Sequence, residues 1–281
     1  FIDCTGFSAL LIGETYQIPF IDKSDVMFVD RALAVQVPYQ HPEQPIPCYT
    51  IATAREAGWI WDIGLSERRG TGYVYASRYT SDEQAEHVLR SYLQGAADNL
   101  AIRKIEMNVG YREKFWHRNC IALGLSQGFV EPLEATGLLI YDATSRMLAD
   151  LFPPHHAAMP LLADKFNQRV RLAWDKVIDF IKLHYYLSNR DDSAFWRDNR
   201  DPATIPQSLQ DLMQLWSHRA PCDLDFTSNN EVFPAASYQY VLYGMGFRSD
   251  TSRLQHQLNN WDFATAQLQQ NRKMIDQALT L

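Results

Sequence analysis

Residues 121–141 read IALGLSQGFVEPLEATGLLIY. This stretch predicts an apolar strand at 121–125, followed by a glycine-containing loop and a helix that begins at Gly137. The loop is mostly apolar, yet it carries Glu131 and Glu134 on either side of a proline. A carboxylate in apolar surroundings costs free energy unless it is paired or used. The loop is therefore the first place to look for chemistry.

The end of this loop combines an anion site with a carboxylate. Amide N–H groups at a helix N-terminus point outward and carry partial positive charge, so the backbone of Thr136 and Gly137 can bind a small anion. Glu134 lies two residues before Thr136. The alternative is that Glu134 only caps the helix or pairs with an arginine, because structural ion pairs also place carboxylates in such positions. Glu131, which adjoins Pro132, is interpreted as a structural residue that shapes the loop.

The first half of the chain is predicted to be rich in β-strands. Short strands are expected at 26–29 and 32–37, and a three-strand meander over 48–77. Within the meander, Trp59 and Trp61 share one face of a strand, because side chains alternate with a period of two. Aromatic residues are favoured on half-buried strands, so these two tryptophans belong to the core unless other evidence assigns them to a site.

From Thr80 onwards the apolar pattern takes the period of a helix. Thr80 and Glu83 are predicted to form a capping box at the start of an amphipathic helix. Strand character returns over 104–125, and further helices are predicted at 137–151, 161–187, 206–217 and 252–279. The fold class is therefore α+β, with a sheet-containing part at 1–150, a mostly helical part at 151–281 and a boundary near residue 150.

Composition excludes several classes of function. The net charge is −7 with no long basic stripe, which argues against a nucleic-acid partner. The four cysteines lie far apart without CxxC or zinc-like spacing, so no metal site is expected and a reduced cytoplasmic protein fits best. No apolar run approaches the length of a membrane span. The chain starts at Phe1 in the middle of a strand-like pattern, so we expect the natural protein to extend upstream.

Five segments, in this order and spacing, resemble one known family, the flavin-dependent tryptophan halogenases. They are FIDCTGFSALLIGE (1–14), GWIWDIGL (58–65), GTGYVYAS (70–77), NCIALGLSQGFVEPLEATG (119–137) and SNRDDSAFW (188–196). The resemblance covers nearly the whole chain. It implies an FAD-binding domain similar to that of glutathione reductase, and a chemistry in which reduced flavin, O2 and chloride or bromide give hypohalous acid. That acid halogenates an electron-rich aromatic substrate such as an indole, and a separate flavin reductase supplies FADH2.

The resemblance also implies roles for single residues. Glu134 matches the family's catalytic glutamate, which stabilises the cationic intermediate of aromatic substitution and takes its proton. Thr136 and Gly137 match the backbone halide site. Trp59 and Trp61 match the tryptophans of the WxWxIP motif, which keep the substrate away from the flavin.

Four further positions match residues around the flavin in the same family. Leu125 and Leu138 correspond to backbone contacts to the cofactor. Thr5 and Gly6 correspond to the turn that closes the flavin site. The Gly-rich phosphate loop and the catalytic lysine of the family belong upstream of the first residue, so this chain alone is expected to be inactive.

The sequence departs from the family pattern at three places. Gly64 stands where the WxWxIP motif has proline, and Ala135 stands where serine is common. The segment 225–247 lacks the paired tyrosines, the glutamate and the Phe-Trp pair of enzymes that halogenate free tryptophan; Glu231 and Phe233 are poor substitutes. This departure implies a substrate other than free tryptophan, such as an indole without the amino-acid head, a peptide-borne tryptophan, a phenol or a pyrrole.

Two alternatives remain from the sequence. A flavin monooxygenase would hydroxylate the same kind of substrate, although both tryptophans and the Glu-Ala-Thr-Gly loop argue against it. A non-catalytic binding module would have kept the fold without the chemistry. The choice between chloride and bromide, the ring position and a homodimer through the C-terminal helices stay open.

Overall fold

The computed structural model describes residues 1–41, 43–226, 232–252 and 260–278. Strands dominate the first half and helices the second, which confirms the predicted α+β class with a helical C-terminal region. The strands are β1 Ile2–Asp3, β2 Phe20–Asp22, β3 Arg31–Pro38, β4 Ile51–Arg55, β5 Gly58–Gly64, β6 Arg68–Tyr75, β7 Arg103–Glu106, β8 Gly110–Arg112, β9 Trp116–His117, β10 Cys120–Ala122 and β11 Gly128–Phe129. The α-helices are α1 Asp82–Leu93, α2 Thr136–Asp150, α3 Met159–Tyr186, α4 Ala194–Asp198, α5 Gln207–His218, α6 Ala235–Gly244 and α7 Trp261–Ala278.

The strands form one larger sheet and two small ones. The antiparallel five-stranded sheet has the order β4-β5-β6-β3-β7, so β4, β5 and β6 are the meander that the sequence predicted. The orders of the small sheets are β1-β10-β9 and β11-β8-β2, and β1 pairs with β10 in parallel. These small sheets bring the start of the chain beside residues 120–129, where the candidate loop begins.

Two faces of the five-stranded sheet are covered by different helices. Because side chains alternate along β5, Trp59 joins a core cluster with α3 while Ile60 joins a cluster with α1. The helix predicted at 161–187 is confirmed as α3, and its apolar face is buried; the members of this face are Phe166, Val170, Trp174, Val177, Ile178, Ile181 and Tyr185. The cluster around α3 contains residues from both sides of position 150, and the predicted domain boundary there stays a prediction.

Two local predictions were wrong. Residues 26–29 form no strand: the amides of Val26 and Met27 both donate to the Lys23 carbonyl in a turn, and the segment is apolar because it is buried in the core. The cap of α1 is Ser81 rather than Thr80. Ser81 has the extended backbone of an N-cap, and its hydroxyl accepts a hydrogen bond from the Gln84 amide at 3.2 Å.

The C-terminal prediction is confirmed only in its second part. The helix expected at 252–279 begins at Trp261, and residues 253–259 lie outside the described residues. The helix α6 was not predicted. Within the described ranges, no helix is both long and apolar enough to cross a membrane.

Gly72 of β6 faces Trp61 across the β5–β6 pair, and it has no room for a side chain. A Cβ there would lie 2.2 Å from the Trp61 ring and 2.5 Å from the Leu33 carbonyl oxygen. We expect Gly72→Ala to lower the free energy of unfolding by about 1–3 kcal/mol, because it overpacks this contact. Gly70→Ala on the same strand is the matched control, since nothing lies within 4 Å of its Cβ. Urea denaturation measures the stability of both variants. Equal stability would contradict the overpacking expected at Gly72.

Candidate active site

The loop between β11 and α2 has an unusual backbone. Glu134 (φ 65°, ψ 9°) and Ala135 (φ 52°, ψ 25°) are both in the left-handed region, and they form the end of the 3-10 turn Leu133–Ala135. This conformation costs an L-residue roughly 1–2 kcal/mol. Strain of this kind concentrates at functional sites, where the surrounding structure holds it. The two residues present the Glu134 side chain just before the N-terminus of α2.

The strain at Ala135 can be relieved without touching the Glu134 side chain. We expect Ala135→Gly to raise the free energy of unfolding by about 0.5–1 kcal/mol, because glycine adopts φ 52° freely and this gain exceeds the extra entropy of the unfolded chain. Ala143→Gly, at an exposed position inside α2, is the control and should lower the free energy of unfolding by about 1 kcal/mol. Equal losses in both variants, measured by chemical denaturation, would contradict the assignment of strain.

Glu134 is paired with a histidine from α3. Its Oε1 atom lies 3.2 Å from Nε2 of His184, and 41% of the Glu134 side chain is exposed. The hydrogen bond from His184 lowers the pKa of Glu134 below its usual range, so the carboxylate is ionised at neutral pH. Glu134 neither caps the helix nor pairs with an arginine, the two alternatives considered from sequence. Among the described residues α2 has no side-chain N-cap, and the partner of Glu134 is a histidine.

Glu131 has an opposite environment. It is buried, and its Oε2 atom accepts hydrogen bonds from Trp59 Nε1 at 2.7 Å and from the Tyr185 hydroxyl at 2.6 Å. Its Oε1 atom has no hydrogen-bond partner among the described residues. Burial raises the pKa of Glu131 to about 7. The carboxyl group therefore joins the loop to β5 and α3, which agrees with the structural role inferred from sequence.

A cavity of about 450 Å³ opens beside the Glu134 carboxylate. Trp59, Trp61, Ile63 and Leu133 contribute its apolar lining, and the two indole rings are 6.5 Å apart in an edge-to-face arrangement. The volume is in the range of small-molecule sites. A larger cavity of about 650 Å³ lies between α2 and α3, but Glu134 does not line it. We favour the smaller cavity because an ionised carboxylate and flat aromatic walls meet there.

The start of α2 fits a small anion. The first amides of an α-helix have no partner within the helix, and the hydroxyl of Thr136 is buried without a partner among the described residues. A buried donor without a partner costs about 1–3 kcal/mol, so such a group calls for an acceptor. Gly137 follows it, and a Cβ at Gly137 would meet nothing closer than 3.7 Å. Thr136 and Gly137 thus offer one buried hydroxyl and two amides within three residues of Glu134.

The turns predicted to contact the flavin lie side by side. Asp3 accepts hydrogen bonds from the amide and hydroxyl of Thr5, and the Ser126 hydroxyl donates to the Asp3 carbonyl. The turn after β1 therefore contacts the turn Gly124–Ser126, which contains Leu125. Gly6 and Gly124 both have positive φ, and a Cβ at either would meet nothing within 4 Å. This pair of open backbone turns fits the edge of a flat ring.

Leu138, the fourth residue predicted to contact the flavin, lies on the first turn of α2 and is 76% exposed.

The predicted site residues fall into two groups. The structure brings Glu134, Thr136, Gly137, Trp59 and Trp61 around one loop. It places Thr5 and Gly6 beside Leu125 at a second, adjoining position.

The profile of the tryptophan halogenase family matches residues 1–260 of this chain. The chain belongs to the tryptophan halogenase family. The resemblance inferred from the five segments is thereby confirmed. The match extends over β1 to α6 and ends just before α7, so it includes every candidate site residue.

Several relatives of known name are similar to the chain. Tryptophan 6-halogenase SttH from Streptomyces toxytricini is 39% identical over 246 residues, which are 88% of this chain and 47% of that protein. The crystal structure of tryptophan halogenase from Shewanella frigidimarina NCIMB 400 is 44% identical with a TM-score of 0.93, and the match covers 99% of this chain and 53% of that one. Tar14, a tryptophan C-6 flavin-dependent halogenase (chlorinase) from taromycin biosynthesis, is 38% identical with a TM-score of 0.86, covering 93% and 52%. The chain spans about half the length of these halogenases.

His184 is the site residue that sequence reasoning missed. It lies 50 positions after Glu134, and nothing in local spacing connects the two. One signal was available: His184 lies near the end of the helix predicted at 161–187 and immediately precedes Tyr185, an apolar position of that helix.

Proposed function

We propose that the protein of which this chain is part is a flavin-dependent halogenase of electron-rich aromatic compounds. One observation carries the proposal: an ionised carboxylate, a buried hydroxyl with no partner among the described residues and two tryptophans meet around the loop that carries Glu134. When bound, reduced FAD supplies, with O2 and a halide, the hypohalous acid that the reaction consumes.

The residues of this chain have three separate roles in the reaction. Glu134 accepts the proton that leaves the ring carbon: the C–H bond breaks, its electron pair returns to the ring and an O–H bond forms on the carboxylate. Before that, its negative charge stabilises the cationic ring. Thr136 and Gly137 hold the halide, either chloride or bromide. Trp59 and Trp61 keep the substrate apart from the flavin.

The flavin contacts are proposed at the two open turns. Thr5, Gly6 and Leu125 would face one edge of the ring system, and Leu138 would contact it from α2. The glycine positions support this, because side chains there would fill the open turns.

We propose that the substrate is not free tryptophan, the compound in the names of the relatives reported above. Phe233 supports this: its ring is stacked on Phe180 at 3.7 Å between centroids and is engaged in packing. Glu231 lies outside the described residues. An indole without the amino-acid head, a peptide-borne tryptophan, a phenol or a pyrrole fits better.

A separate flavin reductase is the proposed partner, because reduced FAD must be supplied. A cytoplasmic location is proposed as well, since all four cysteines are free and thiols persist in a reducing compartment. A homodimer is a further proposal, supported by the exposed Trp261, Phe263 and Leu268 of α7.

The substrate proposal is tested with the protein extended to its natural start. FAD, NADH, a flavin reductase and bromide are supplied with equal concentrations of indole, tryptophan, a tryptophan-containing peptide and a phenol. Mass spectrometry is expected to show the bromine isotope doublet on indole or another member of the panel, but not on tryptophan. A doublet on tryptophan would overturn the interpretation of residues 225–247.

A further inference from the structure

His184 lies in the last turns of α3, and each of its two ring nitrogens contacts a different group. Its Nδ1 atom is 2.8 Å from the carbonyl oxygen of Phe180, and its Nε2 atom is 3.2 Å from Oε1 of Glu134. The ring also meets the Phe180 ring edge-to-face at 5.0 Å. Two hydrogen bonds and one ring contact therefore fix the orientation of the imidazole.

These contacts determine where the protons are. A backbone carbonyl only accepts, so Nδ1 must carry a hydrogen. A carboxylate also only accepts, so the Nε2–Oε1 hydrogen bond needs a second proton, shared between the imidazole and Glu134. With that proton the bond is charge-assisted and about twice as strong as a neutral one. Without it two acceptors face each other and the bond is lost.

Few other charged groups surround the pair in the described part of the chain. Glu131 lies on the same loop as Glu134, and Lys182 lies on α3 two residues before His184. Burial raises the pKa of Glu131 and lowers the pKa of Lys182, in each case to about 7, so neither is a fixed charge. From β5, the indole of Trp59 contacts the loop by donating a hydrogen bond to Glu131. The groups packed on Phe180 from α6 and the segment before it are aromatic; they are Phe233 and Tyr238.

The adjacent residues His184 and Tyr185 hold the two glutamates of the loop separately. Tyr185 donates to Glu131 and His184 pairs with Glu134. Glu134 needs such support, because its backbone is left-handed and its side chain is 41% exposed, so packing alone does not fix its carboxylate. A carboxylate that must meet a ring proton has to be held in one orientation.

We propose that His184 is the positioning residue of Glu134. Its Nε2–H holds Oε1 and leaves Oε2 to receive the proton of the substrate ring. This role rests on the proposed halogenase function, although the hydrogen bond itself can be tested without it. His184 acts through Glu134 and touches neither the substrate nor the cofactor.

The first test compares His184→Leu and His184→Gln in the full-length protein. The leucine removes the donor, and the glutamine amide keeps a neutral N–H donor of similar reach. We expect His184→Leu to lower kcat about 10–100-fold with little change in KM, because the substrate still binds but the carboxylate is misplaced. His184→Gln should recover kcat to within a few-fold of the wild type.

The matched control is His87→Leu, at an exposed position of α1. It should leave kcat and its pH profile unchanged. A wild-type kcat in His184→Leu would overturn the proposal. Equal losses of kcat in the leucine and glutamine variants would overturn it too, because they indicate only a packing role.

The second test does not require halogenation. Carbon-13 NMR of labelled glutamate follows the Glu134 carboxyl group in the wild type and in both variants. We expect the pKa of Glu134 to move up towards its ordinary value in His184→Leu. An unchanged Glu134 pKa would overturn the hydrogen bond whatever the enzyme does. If the Glu134 pKa moves as expected but no substrate is halogenated, the positioning contact stands and the proposed function fails.

Discussion

Glu134→Gln is expected to lower the rate of aromatic halogenation by about two to four orders of magnitude, the usual contribution of a general acid–base group. Glutamine keeps the size of the side chain but removes the negative charge that stabilises the cationic ring and the oxygen that accepts its proton. The amide can still bond to His184, so the loop is expected to keep its shape. Product formation, followed by mass spectrometry at saturating halide, measures the loss.

The same experiment separates chemistry from cofactor use. Oxidation of reduced flavin should continue in Glu134→Gln, because the flavin contacts are proposed at Thr5, Gly6 and Leu125. Glu67→Gln is the matched control: it makes the same chemical change at an exposed residue in the turn between β5 and β6, and it should halogenate like the wild type. A Glu134→Gln variant that retains more than about a tenth of the activity would contradict the role of general base.

Glu131 is expected to make the protein less stable as the pH rises from about 4.5 to about 7. Burial raises the pKa of this carboxyl from 4.5 to about 7 in the folded chain. Between these two values the folded state holds a proton that the unfolded state has released, so the free energy of unfolding falls with increasing pH. The shift corresponds to a contribution of about 3 kcal/mol to the free energy of unfolding. This contribution is fully present below pH 4.5 and is lost once the pH passes 7.

Glu131→Gln removes this titration while keeping an acceptor for Trp59 and Tyr185. We expect its free energy of unfolding to fall less between pH 5 and pH 7 than that of the wild type, as measured by urea denaturation at a series of pH values. Lys182 acts in the other direction, because burial lowers its pKa from 10.5 to about 7, and its contribution rises above pH 7. The comparison therefore stays below pH 7. Parallel pH dependence in Glu131→Gln and the wild type would contradict the burial argument.

Sequence patterns predicted best where one physical signal dominates. The period-two alternation of β5 predicted the meander, and the 3.6-residue apolar pattern of α3 predicted the long helix. Both patterns are clear because one face of each element is buried and must be apolar. Residues 26–29 misled for the same reason: they are apolar, carry a valine at each end and are largely buried, yet they follow a turn without forming a strand. The tyrosines of α6, at 238, 240 and 243, fall on different sides of the helix, so no single apolar stripe indicated it.

The site was predictable only where its members are neighbours in sequence. Glu134, Thr136 and Gly137 form one short segment, and the family resemblance selected Glu134 over Glu131. The left-handed backbone at Glu134 and Ala135 was not predictable, because neither residue is a glycine. The contacts of Trp59, Tyr185 and His184 with the two glutamates connect positions more than 40 residues apart along the chain. Only the packing of α3 and β5 against the loop brings them together.

We propose that this site transfers halogen rather than oxygen to an aromatic ring. One reaction tests it most directly: the full-length protein with FAD, NADH, a flavin reductase, bromide and isotopically labelled O2, with indole as substrate. We expect a product with the bromine isotope doublet and no labelled oxygen. A product that carries labelled oxygen and no bromine would contradict it and would identify a monooxygenase built on the same fold.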